Sequence, residues 1–221
     1  GSRRGTVETP SPHITVFFLI FAPQKQRHMD APIERHPLEP FLPPQARLLM
    51  LGSSPPPRRR WCMDFFYPNR TNQMWLIFGA VFYGDSQRLV DDAHKTFRQA
   101  DIEALLRERG IAIYDTATAV RRLSGNASDK DLLIVEKTDI AALLERIPLC
   151  RDIVCTGQKS FSALTEAYGV AVPAMGGHNE FTIAGRPMRL WRMPSSSRAY
   201  PMPLQEKADH YSRLMQAVGI M

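Results

Sequence analysis

The chain holds 221 residues, with 28 Lys and Arg against 22 Asp and Glu for a formal net charge of +6, and it is 44% hydrophobic and 23% charged. A chain of that length and balance buries one large core, which excludes wholesale disorder and a cross-linked mini-protein. Three scattered cysteines, Cys62, Cys150 and Cys155, form no Cys-x-x-Cys pair, which argues against a disulfide framework or a four-cysteine metal or iron–sulfur site and for a reducing compartment.

Residues 1–28 read as an N-terminal extension or a segment added for expression, with Gly1-Ser2 resembling a cloning scar and Met29 a candidate start. Residues 29–221 read as a single domain. The apolar run Ile14 to Ala22 is shorter than the roughly 20 residues a spanning helix needs, so no membrane anchor is expected. From about residue 33 short apolar runs alternate with helical patterns, the signature of an α/β fold with a parallel sheet. Arg47 to Leu51 is a buried strand ending in the turn cluster Gly52-Ser53-Ser54-Pro55. A helix carrying Trp75, Leu76, Phe78, Val81 and Phe82 starts after Asn72, its expected cap. Asp101 is expected to cap the next helix, Gly110 to end it, and Ile111 to Tyr114 to form a strand closing at Asp115. Thr138 or Asp139 opens a helix through Ile147, Asp152 to Thr156 is a strand, and Gly157 turns the chain into a helix from about Phe161 to Tyr168. Phe181 to Met193 reads as a hairpin around Gly185-Arg186-Pro187, and residues 203–218 as a final amphipathic helix.

Ligands of open parallel sheets bind beyond the carboxyl ends of the strands. Three segments are expected at that rim: residues 52–72, 115–128 and 193–203. The first combines Arg58, Arg59 and Arg60 with Phe65, Phe66 and Tyr67. Singly these residues read as solvated charge and a satellite core; interleaved, they offer cations for phosphates beside flat rings for bases. The last segment carries Ser195, Ser196, Ser197 and Arg198. Short hydroxyls and backbone N–H groups approach phosphate oxygens closely, and an arginine adds charge or enters a groove.

Gly52-Ser-Ser-Pro55, Asn72-Gln-Met-Trp75, and Met193-Pro-Ser-Ser-Ser-Arg198 followed by a helix with Lys207, His210 and Tyr211 together resemble the uracil-DNA glycosylase superfamily. The likeness spans residues 33–218 and is strongest to the mismatch-specific/thymine-DNA and hypoxanthine-DNA glycosylase branches. It implies a three-layer α/β/α sandwich with a short, mainly parallel central sheet. It also implies a monofunctional enzyme that flips a damaged or mismatched base, such as uracil, hypoxanthine or a related deaminated base, out of DNA and hydrolyses its N-glycosidic bond. The implied partner is DNA, with no cofactor, metal or membrane, acting as a monomer in a bacterial cytoplasm or a nucleus.

Ser54 stands where the uracil and thymine branches carry Asn or Asp, and a hydroxyl is a poor general base. Asn72 matches the asparagine implicated in the hypoxanthine branch and is expected to position water or base, or simply to cap its helix. Asp64 and Asp115 are reserve bases, Asp115 equally a turn cap. Phe66 is the first choice to stack on the flipped base, with Phe65 and Tyr67 behind it, and backbone N–H groups at Ser53 and Ser54 are expected to read a base carbonyl. Ser195, Ser196 and Ser197 are expected to grip the DNA backbone, with Arg198 or Tyr200 filling the gap left by the flipped nucleotide. Arg58, Arg59, Arg60, Arg70, Arg192 and Arg198 are expected to form a one-faced DNA footprint, with Asp91, Asp92, Glu103 and Glu108 in helical segments away from it. Met193 stands near the place where uracil-specific members carry a histidine, and His178 and His210 read as surface or core-edge residues. Two rival readings are a non-catalytic module for damaged DNA and an α/β hydrolase holding phosphate on the turn Thr156-Gly157-Gln158-Lys159.

Overall fold

The structure, a computed structural model, describes Gly1 and residues 31–123 and 131–221; apart from Gly1, the expected extension over residues 1–28 lies outside them. Taking strands in chain order, β1 is Ile33–Arg35, β2 Leu48–Gly52, β3 Val90–Asp91, β4 Thr96–Phe97, β5 Ile111–Asp115, β6 Ala117–Arg122, β7 Leu132–Lys137, β8 Asp152–Cys155, β9 His178–Ile183 and β10 Arg186–Arg192. The central sheet has the order β5-β2-β8-β10-β9. Its first four strands run parallel, and only β9 is antiparallel, paired to β10. Leu48, Leu49, Met50 and Leu51 are all fully buried, because a parallel strand covered on both faces must be apolar at every position rather than at alternate ones.

Five described helices flank the sheet in a three-layer α/β/α arrangement: α1 Met74–Tyr83, α2 Gln99–Arg109, α3 Ile140–Arg146, α4 Gln158–Tyr168 and α5 Leu204–Val218. Gly110 ends α2 in the left-handed region, φ 66°, and the Asp139 side chain caps α3 by accepting from Ala142 N. Two expected caps sit differently. Asp101 lies in the first turn of α2, where its charge faces the positive helix end, while Arg98 occupies the capping position. Helix α1 begins at Met74, and Asn72, two residues earlier, accepts from Met74 N at 2.9 Å. The β9–β10 turn at Ala184-Gly185 has positive φ at both residues, 48° and 78°, as a tight hairpin requires.

A second, antiparallel sheet in the order β1-β6-β7 leaves the rim immediately after Asp115. Of the segment 115–128 expected at the rim, Ala117 to Arg122 is strand β6, and residues 124–130 lie outside the described chain. Asp91 belongs to the β3–β4 hairpin and Asp92 to its turn, not to a helical segment. Residues 53–73 are tied down rather than structureless. The buried indole of Trp75 donates to Phe66 O at 3.1 Å, Trp61 Nε1 donates to Pro56 O at 2.7 Å, and Thr96 Oγ1 donates to Cys62 O at 2.6 Å. Cys62, Cys150 and Cys155 are free thiols, and burial pushes Cys150 and Cys155 up to about 12. Among the described residues no helix is long and apolar enough to cross a membrane.

Candidate active site

A cavity of about 750 Å³ opens at the carboxyl ends of β2, β5 and β8. Its floor is the turn Gly52 to Pro56 with Asp115; one wall is Phe66, Tyr67 and Pro68, another Thr156 to Gln158, and the rim carries Arg60, Asn69, Thr71, Asn72 and Ser195 to Ser197. Ser53, Ser54, Phe66, Tyr67, Arg60, Asn72, Asp115, Ser195, Ser196 and Ser197, singled out from separate stretches of sequence, thus converge on one space.

Others do not line it. Phe65 packs in the core, edge-on to Phe41 at 5.3 Å and to Phe66 at 5.2 Å. Asp64 projects to the surface, its side chain 73% exposed and paired with Arg58 at 2.5 Å, so it is no candidate base for chemistry in the cavity. Arg58 also lies over the Trp61 ring at 4.3 Å. Arg59 and Arg198 are exposed outside the cavity wall. Arg70 pairs with Asp92 at 2.7 Å, and Arg192 donates to Pro173 O. The acids expected to lie away from the basic face do not all do so: Asp92, on the β3–β4 hairpin that folds back against this loop, pairs with Arg70, and within the loop itself Asp64 pairs with Arg58.

The Ser-rich segment is laced to the start of α1. Asn72 and Ser197 form an antiparallel bridge, and Gln73 N donates to Ser196 O at 2.8 Å. Lys207 on α5 is fully buried, and its Nζ donates to Gln73 Oε1 and to Ser197 O, each at 2.8 Å. Burial holds this ammonium below the ordinary lysine value, as expected for a charge taken out of water. Ser196 is the buried member of the segment, leaving Ser195 and Ser197 nearer the opening.

Tyr67 lies at φ 49°, a conformation a non-glycine residue pays about 1–2 kcal/mol to hold. Its hydroxyl shares a 2.8 Å hydrogen bond with Thr156 Oγ1, and its ring stands edge-on to Trp75 at 5.8 Å. The ring borders the cavity while the hydroxyl is buried, and that burial pushes the phenol well above the usual tyrosine value. Of the described residues lining the cavity, only Asp115 carries a carboxylate. It is 7% exposed, its Oδ2 lies 2.8 Å from His36 Nε2, and its backbone carbonyl accepts from Thr138 Oγ1 at 2.6 Å. A Cβ on Gly52 would come within 2.1 Å of Asp115 Oδ1, so the missing side chain at Gly52 makes room for this carboxylate. His36 is the residue that sequence reasoning missed: it stands 79 positions before Asp115 and belongs to no motif. No cluster of three or more His, Cys, Asp or Glu with metal-ligand placement occurs among the described residues.

No protein-family model and no curated protein matches the sequence. Among solved structures, the chain is similar to the solution NMR structure of a "putative Uracil DNA glycosylase" from Methanosarcina acetivorans. The TM-score is 0.55 at 20% identity, over 85% of this chain and 99% of that one. The likeness is one of fold, and it agrees with the α/β architecture built around the cavity.

Proposed function

We propose that this protein is a monofunctional DNA glycosylase that takes a flipped, deaminated or mismatched base into the cavity and hydrolyses its N-glycosidic bond. One observation carries the reading: a single nucleotide-sized cavity at the strand ends unites a carboxylate (Asp115), aromatic walls (Phe66, Tyr67), an amide (Asn72) and a hydroxyl-rich rim with an arginine (Arg60). Each supplies something that excision of a flipped base needs. The rings hold the base by stacking, the backbone at Ser53 and Ser54 meets its carbonyl edge, and the rim takes the phosphates on either side.

In the reaction, water bonds to C1′ as the C1′–N bond breaks, and the bonding pair leaves with the base. Asp115 accepts the proton that the water gives up, and the departing base is protonated from solvent. The carboxylate's charge also stabilises the positive sugar that develops as the bond lengthens. Asn72, with Oδ1 engaged by Met74 N, contributes through its amide Nδ2 as a positioning donor. Ser54, in the turn position that carries an amide or acid in other branches, positions water at most.

A non-catalytic damage reader is the second reading, prompted by Ser54; the carboxylate of Asp115 in the same cavity favours hydrolysis. A phosphate site on the 156–159 turn is disfavoured, because Lys159 Nζ is bonded to Leu132 O and does not line the cavity. The test is turnover on labelled duplexes carrying uracil, hypoxanthine, thymine opposite guanine, or an oxidised base, followed by alkaline cleavage of abasic sites. Strand scission on at least one substrate is expected; binding without scission on all four would sink the enzyme reading in favour of the damage reader.

A further inference from the structure

We propose that His36 is a positioning residue for the cavity's carboxylate, and that the second sheet serves the site by delivering it. The inference rests on the glycosylase reading for its assay. His36 is held at both ring nitrogens: Nε2 lies 2.8 Å from Asp115 Oδ2, and Nδ1 lies 2.8 Å from Leu38 O and 3.2 Å from Leu38 N. Its side chain is 2% exposed, packed 4.7 Å from the Tyr114 ring and 6.2 Å from the Phe66 ring. The backbone behind it is fixed as well, since His36 N donates to Thr118 O at 2.9 Å just beyond the β1–β6 pairing.

An ionised carboxylate only accepts hydrogen bonds, so the nitrogen that faces it must carry a proton. Nε2 therefore donates to Oδ2. Nδ1 then accepts from Leu38 N–H in the neutral ring, or donates to Leu38 O when the ring is charged. In both states Oδ2 is occupied, while Oδ1 lies against the bare Cα of Gly52 at the cavity floor. With Oδ2 bound and Oδ1 flanked by Gly52, the bond to His36 sets the carboxyl plane and leaves Oδ1 to meet the water. A reacting group has to be held within about 0.5 Å of its working position by supports of this kind. Without His36, the Asp115 carboxyl is free to rotate away from the attacking water.

The test is a cycle of His36→Leu and Asp115→Asn, read by single-turnover excision on whichever duplex the wild type cleaves, with melting curves on every variant. His36→Leu should lower kcat about 100-fold, the cost of about 1 Å of misplacement, and change KM less than about threefold. In the Asp115→Asn background the same change should lower kcat further by less than about threefold, because a residue acting through Asp115 has nothing left to position. His36→Gln, which brings a side-chain N–H near the place of Nε2, should recover most of the loss, and His36→Asn, whose amide is too short, should not. If His36→Leu does not fold, the Gln and Asn variants alone decide the matter. Wild-type kcat in His36→Leu, an undiminished loss in the Asp115→Asn background, or equal activity of the Gln and Asn variants would overturn the proposal. A wild type that excises no base instead overturns the glycosylase reading beneath it.

Discussion

Replacing Gly52 by Ala adds one methyl at the floor of the cavity. The new Cβ would stand 2.1 Å from Asp115 Oδ1 and 3.3 Å from its Cγ. Contact between carbon and oxygen relaxes only near about 3.5 Å, so the carboxylate must retreat by more than about 1 Å. Gly52 is the last residue of β2, and its φ lies outside the left-handed region, so alanine meets no backbone strain there. The whole effect falls on the carboxylate. Its 2.8 Å bond to His36 is stretched or lost, a charged hydrogen bond worth about 1.5–3 kcal/mol, and displacement of the acid costs about 100-fold in excision rate. Single-turnover excision should therefore fall by about that factor, with DNA binding within about threefold of wild type and a drop in thermal stability. Placing Gly52→Ala on Asp115→Ala removes the obstruction, and there the extra methyl should cost little stability. Wild-type excision by Gly52→Ala, or an equal stability loss in both backgrounds, would refute the placement of Asp115 at the floor.

Asn72→Ala should cut excision strongly with binding kept, and should also cost about 1 kcal/mol of stability for the lost bond to Met74 N; Asn72→Asp, which keeps the acceptor, separates the two effects. Arg60→Ala and Arg198→Ala should each reduce the slope of log affinity against log salt by about 0.9 for a lost phosphate contact. Arg58→Ala and Arg70→Ala should move it less, since Asp64 and Asp92 already sit against those side chains. Lys207→Met should lower stability by about 2 kcal/mol by leaving Gln73 Oε1 and Ser197 O without their donor. Because burial holds Lys207 below its unfolded value, the folded chain binds fewer protons between that lowered value and about 10.4. Wild-type stability gains with rising pH through that window, so denaturation curves should show the gap to Lys207→Met widening there.

The parallel strands were legible because burial on both faces writes itself as an unbroken apolar run, as in Leu48 to Leu51. Helix ends were legible at Gly110 and Asp139 because backbone chirality and capping act within a few residues. The second sheet was not: β7 leaves Leu133 and Val135 about half exposed, so its pattern carries no clean buried face. Among the site residues, Asp64 adjoins the aromatic run in sequence but not the cavity in space. The chain there alternates, burying Met63 and Phe65 while Asp64 points outward. The pairing of Arg70 with Asp92 and of His36 with Asp115 depends on how distant segments fold together; neither leaves a local trace, and the charge on the loop therefore read as more one-sided than it is.

Free base released from a duplex carrying uracil or hypoxanthine, measured for the wild type beside Asp115→Asn, tests most directly whether this cavity hydrolyses a glycosidic bond. The wild type should release free base and leave an alkali-labile site in equal amount, and Asp115→Asn should be slower by about 100-fold or more while still binding the duplex. Base release by Asp115→Asn at the wild-type rate, or none by the wild type from any duplex it binds, would contradict that role.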